Sequence, residues 1–70
     1  MEITITGDYI QLDQLLKKED LISSGGMTSA FLSMHKVVLN GVGVTEKRKK
    51  IRSGDSLSID GTDYEIRSDQ

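Results

Sequence analysis

The chain has 70 residues and no cysteine, with about 36% hydrophobic and 29% charged residues and a formal net charge of −2. A chain of this length makes one domain, residues 1–70, and buries only about 60% of its unfolded surface, so the core is small and an enclosed catalytic pocket has little room. The composition is that of a folded globule; the missing thiols exclude disulfides and thiolate metal sites, and one histidine does not make a structural zinc site.

Residues 1–5 lack the basic start and apolar stretch of a secretion signal, and no apolar run nears the ~20 residues of a bilayer span. A cytoplasmic protein with no membrane contact is expected. Ile3 and Ile5 alternate with Thr4 and Thr6, which predicts a strand with one buried face, ended by Gly7-Asp8. Asp13 opens a helix or lies in its first turn, where a carboxylate suits the helix dipole. Leu12, Leu15 and Leu16 fall at i, i+3, i+4 with Lys17 and Lys18 outward, and Leu21 and Ile22 extend the apolar surface past the last turn. Ser23-Ser24-Gly25-Gly26 is a break. A second helix is predicted over roughly 26–36, with Met27, Ala30, Phe31 and Met34 as its apolar stripe. Its opposite face shows Thr28, Ser29, Ser33, His35 and Lys36, and Ser24 is its expected N-cap.

Val37-Val38-Leu39 reads as a strand leading into Asn40-Gly41, a hairpin signal, after which Val42 and Val44 resume the alternation. A basic run follows, then a turn at Ser53-Gly54-Asp55. Leu57 and Ile59 alternate with polar residues, Asp60-Gly61 is a second hairpin signal, and Tyr64 and Ile66 follow with Glu65 and Arg67 facing away. Strand, helix, helix and several short strands make an α+β domain, without repeat or linker.

The charge is unevenly spread. Residues 1–20 sum to −3, residues 21–35 carry none, residues 36–52 sum to +5 and residues 53–70 to −4. Lys47, Arg48, Lys49, Lys50 and Arg52, five of the nine basic residues, fall within six positions broken only by Ile51. A concentrated positive stretch in an otherwise acidic chain points to a polyanion met on one face, although charge alone does not separate RNA from DNA. Taken alone, each signal has a plainer reading. A charge run is more often a solvated loop, Gly25-Gly26 a flexible break, and His35 a surface residue. Met27 and Met34 at helical spacing read as core, and Asp60, Asp63 and Glu65 as edge protection around a hairpin. No nucleophile–base pair, metal set or phosphate loop is present, so neither enzymatic activity nor a cofactor is expected.

The ordered set of Ser24-Gly25-Gly26, a helix, Val37-Val38-Leu39-Asn40-Gly41, a basic cluster ending in Lys50-Ile51, and Gly54-Asp55 resembles the S-four-type RNA-binding domain. The resemblance covers residues 10–67, and the chain looks most like the small stand-alone YaaA-type bacterial members. It implies the αL motif: two short helices packed on a small, mostly antiparallel sheet. It also implies a non-catalytic protein with structured RNA as partner (rRNA, a ribosomal subunit or tRNA) and no small-molecule substrate. Three sites depart from the family pattern. Gln11 stands where Arg is frequent, Thr28-Ser29 where stand-alone members often have Ala-Lys, and Glu46 where a basic residue is common. These departures shift the electrostatic weight onto residues 47–52.

The RNA-binding residues so implied are Lys17, Ser24, Gly25, Gly26, Thr28, Ser29, His35, Lys36, Lys47, Arg48, Lys49, Lys50 and Arg52. Arg48 and Arg52 can hold phosphate oxygens bidentately, with the lysines as point charges. The second helix would add its amide end and the Thr28 and Ser29 hydroxyls, flanked by His35 and Lys36. Tyr9, Phe31 and Tyr64 are the only aromatics, few for a base-stacking single-strand binder, so recognition by shape and backbone is expected. The competing class is a β-grasp interaction module or sulfur carrier, which shares the opening strand, helix and short closing strands. A carrier needs a C-terminal Gly-Gly where this sequence reads Ser68-Asp69-Gln70, and the second helix favours the two-helix arrangement.

Overall fold

The structure, a computed structural model, describes residues 1–69. In chain order its elements are β1 (Glu2–Ile5), β2 (Tyr9–Gln11), α1 (Leu12–Lys18), a 3-10 turn (Gly25–Met27), α2 (Thr28–Met34), β3 (Val37–Leu39), β4 (Val42–Gly43), β5 (Lys50–Arg52), β6 (Ser56–Ile59) and β7 (Thr62–Ser68). The α+β class and the two short helices on a mostly antiparallel sheet are as expected. Neither helix is long and apolar enough to cross a membrane.

Alternation explains most of the main sheet. Ile3 and Ile5 of β1, Leu57 and Ile59 of β6, Val37 and Leu39 of β3 and Ile66 of β7 all turn to one buried face. The strand order is β1-β7-β6-β3-β4, antiparallel except for β1 and β7, which run parallel with Ile3 opposite Ile66. The pairing of the first strand with the last is extended at both ends: Glu65 N donates to the Met1 carbonyl at 2.8 Å and Asp69 N to the Ile5 carbonyl at 3.1 Å. Over this face lies α1, whose Leu12, Leu15 and Leu16 are fully buried. Ile22 joins the core just beyond the helix, whereas Leu21 stays exposed. Val42 is also exposed, and Val44 packs only partly on the core.

Both hairpin dipeptides form the turns expected of them. Asn40 and Gly41 have φ of 51° and 83°, Asp60 and Gly61 51° and 86°, the paired positive values of a turn matched to the twist of antiparallel strands. Asn40 does more than turn. Its Oδ1 accepts from Ser56 N at 2.9 Å and its Nδ2 donates to Asp55 Oδ1 at 3.1 Å, while Asp55 Oδ2 accepts from Arg52 N at 2.9 Å. The Asn-Gly and Gly-Asp signatures, 14 residues apart in sequence, therefore meet in one hydrogen-bonded corner.

The second helix differs from the expectation. Residues 25–27 form a 3-10 turn and the α-helix starts only at Thr28. Its inward residues are Thr28 and Phe31, with Leu32 and His35 half-buried, while Met27, Ala30 and Met34 are exposed. Both sets have i, i+3, i+4, i+7 spacing and differ by one position. The set holding Thr28 and His35 goes inward because both polar side chains find partners outside the helix. The Thr28 hydroxyl donates to the Gly25 carbonyl at 2.9 Å. The His35 ring stacks on Phe31 with centroids 4.2 Å apart, and its Nδ1 lies 2.5 Å from Asp60 Oδ2. Ser24 precedes the 3-10 turn in an extended conformation, but it is the Ser24 carbonyl, not the hydroxyl, that closes the turn, accepting from Met27 N at 3.1 Å.

Two predictions follow from this packing. Ile51 of β5 is fully buried, so Ile51→Ala should destabilise the chain by about 2–5 kcal/mol, read by urea denaturation. The second concerns acid. The Asp60 carboxyl is held below the ordinary carboxylate range, first by the Lys36 amide, which donates to its Oδ1 at 2.8 Å, then by the His35 ring. A depressed folded pKa stabilises the fold above the unfolded value, and that contribution is lost as pH falls below about 4. The melting temperature of the native chain should therefore drop more between pH 5 and pH 2 than that of Asp60→Asn, whose side chain also tolerates positive φ.

Candidate nucleic-acid interface

The basic run is held by its backbone and by one apolar side chain. β5 pairs antiparallel with β2 in a separate two-stranded ribbon, with Tyr9 opposite Arg52, Ile10 opposite Ile51 and Gln11 opposite Lys50. Alternation sends Ile51 into the core and leaves Lys50 and Arg52 exposed on the other face. Upstream, the run serves α1. The first amides of a helix have no partner within it, and the N-cap residue Gln11 offers no side-chain bond. Instead Leu12 N donates to the Lys49 carbonyl at 2.9 Å and Asp13 N to the Lys47 carbonyl at 3.0 Å. A turn from Glu46 to Lys49 completes the segment, with Lys49 N 3.2 Å from the Glu46 carbonyl. Lys47, Arg48, Lys49, Lys50 and Arg52 are all exposed, and among the described residues none forms an ion pair.

Tyr9 is the residue that sequence reasoning missed. β2 has three residues and a single apolar one, too short for alternation to announce it. In the ribbon its ring stands among the cations: Lys50 Nζ is 4.9 Å and Arg52 Cζ 5.8 Å from the ring centre, within the range of cation–π attraction.

The remaining expected residues fall into three groups. Gly25 and Gly26 are exposed beside the start of α1, and a Cβ on Gly25 would stand 3.9 Å from Asp13 Oδ2. Asp13 thus lies between the glycine turn and the basic run, its amide bonded to Lys47 and its carboxylate near Gly25. A carboxylate there repels a phosphate, and the seven-residue α2 behind the turn has only a short dipole. Thr28 is fully buried with its hydroxyl engaged, so the surface contact expected of it is corrected to an internal one, whereas Ser24 and Ser29 remain exposed.

His35 and Lys36 sit at the end of the main sheet where β3 begins. Val44 N donates to the Val37 carbonyl at 2.9 Å, so the chain leaves β4 for the basic run at this same end. Here too a carboxylate intervenes: Asp60 takes the His35 ring and the Lys36 amide, and Asp60 N donates to the Lys36 carbonyl at 2.8 Å. Lys17 lies in the last turn of α1, away from the end that receives the basic run, where its charge suits the carbonyl end of the helix. Its neighbour Lys18 donates to the Thr4 carbonyl and ties the helix to β1.

The family model described as S4 domain, the S-four type, matches residues 3–67. A probable ribosome maturation protein, RlbA, from Bacillus subtilis (strain 168) is 41% identical over 59 residues, covering 84% of this chain and 83% of that protein. The matched span takes in both helices, the five-stranded sheet and the β2–β5 ribbon, and the chain belongs to the S4 domain family.

Proposed function

We propose that the chain binds structured RNA in the cytoplasm without acting on it chemically, and that its target is ribosomal RNA or a ribosomal subunit. The observation that carries this reading is the row of five exposed cations at 47–52, free of ion pairs among the described residues, on a backbone locked to α1 and the core. Membership of the S4 domain family supports the RNA partner, and the name of the Bacillus subtilis relative supports the ribosomal target. Phosphates are met by Arg48 and Arg52 bidentately and by Lys47, Lys49 and Lys50 as point charges, each contact releasing condensed counterions. The glycine turn and the His35–Lys36 corner contribute less, since Asp13 and Asp60 oppose a polyanion at each.

Filter binding of the intact chain to ribosomal RNA across a salt series tests the phosphate contacts. With five of them, log K should fall against log salt with a slope of about −4. Replacing Lys47, Arg48, Lys49 and Lys50 together by Ala should flatten that slope by about three to four units. An affinity indifferent to salt, or unaltered in the fourfold variant, overturns the mechanism. Co-sedimentation tests the target: the chain should travel with a ribosomal subunit at low salt, and its absence from every ribosomal fraction moves the target to tRNA.

A further inference from the structure

One face of the β2–β5 ribbon is committed to the core through Ile10 and Ile51. The other carries Tyr9 opposite Arg52 and Gln11 opposite Lys50. An aromatic ring, an amide and two cations are the groups a nucleotide uses: a surface to stack on, a donor and acceptor for a base edge, and charges for the phosphates on either side. We infer that this face is a binding site for a single unpaired nucleotide, its base stacked on Tyr9, its edge within reach of Gln11 and its flanking phosphates held by Lys50 and Arg52. The inference rests on the RNA-binding reading above and adds to it a contact with a base.

Three observations set Tyr9 apart from an ordinary exposed tyrosine. Strand alternation fixes its direction: with Ile10 packed inward, the Tyr9 ring cannot turn to the core without breaking the pairing with β5. Tyr9 is 41% exposed, yet its ring is held in a cluster with two cations at 4.9 and 5.8 Å. Such contacts are weak at a surface, so either long side chain can leave the ring for a phosphate as a base arrives. Finally, the other two aromatics are occupied. Phe31 is buried under His35, and Tyr64 packs against the core. With one ring available, the site takes one extruded base rather than a continuous single strand. That fits a partner that is folded RNA with a bulged or looped-out residue.

The test compares two RNA hairpins, one fully paired and one with a single bulged nucleotide, binding to the intact chain. Tyr9→Leu keeps an apolar side chain but removes the ring, and Tyr9→Phe keeps the ring. Tyr9→Leu should weaken binding of the bulged hairpin by about 5- to 100-fold while leaving the paired hairpin and the salt slope unaltered, and Tyr9→Phe should bind both like the native chain. A second measurement needs no change at Tyr9. The chain has no tryptophan and two tyrosines, so in Tyr64→Phe all tyrosine fluorescence comes from Tyr9. The bulged hairpin should quench it, and inorganic polyphosphate should not. Salt-dependent RNA binding that is retained in Tyr9→Leu with equal affinity change, or none, on both hairpins overturns the stacking site and leaves the phosphate mechanism standing. Failure of the native chain to bind either hairpin overturns both.

Discussion

Five cations within six positions repel one another, and a backbone that carries them has every electrostatic reason to stay extended and mobile in water. What restrains it is the exchange between the basic run and α1. The helix needs acceptors for its first amides, and the Lys47 and Lys49 carbonyls supply them. Two residues later Ile51 is driven into the core. The magnitudes favour order. Neighbouring charges about 6 Å apart cost roughly 0.7 kcal/mol per pair in water, less with salt. Burying Ile51 contributes about 1.5–3 kcal/mol and each hydrogen bond about 1 kcal/mol. The backbone is thereby used up inward, and all five charged side chains are left to the solvent.

The acidic residues shape the charge of this surface as much as the basic ones. Asp13 stabilises the start of α1, where its Oδ1 also accepts from Gln14 N. Asp60 holds the His35–Lys36 corner in place. Each serves the fold and, in the same place, sets a negative charge that opposes a phosphate. The result is a narrow positive band made of the 47–49 segment and the β2–β5 ribbon. In a chain of net charge −2, the positive potential is thereby concentrated on one face.

The same economy shows in the turns. Asn40, Asp55, Gly41 and Gly54 read as family signatures, and a signature is easily taken for a binding site. In the structure they build a corner: Asn40 and Asp55 bond to each other, to the start of β6 and to the Arg52 amide. Arg52 is aimed outward partly because its backbone is held there. Residues without contact to a ligand can thus be as necessary to the interface as the cations.

Local pattern by itself determined a large part of this protein. Period-two alternation was enough for β1, β6 and β7, since a strand has only two faces and one of them is apolar, and the β-rich Val37-Val38-Leu39 before Asn-Gly was enough for β3. Leu12, Leu15 and Leu16 were enough for the inner face of α1, and Asn-Gly and Asp-Gly for both hairpins, because few residues tolerate paired positive φ. The clustering of the basic residues was also plain. Tertiary structure alone decided the rest. The parallel pairing of β1 with β7 joins residues about 60 apart in sequence, which no local pattern encodes. The inward face of α2 depended on partners outside the helix, Gly25 for Thr28 and Asp60 for His35, that allowed polar residues to be buried. Tyr9 joined the basic site only through cross-strand pairing with Arg52. In each case the deciding energy is a contact between distant segments, and sequence periodicity reports only on neighbours.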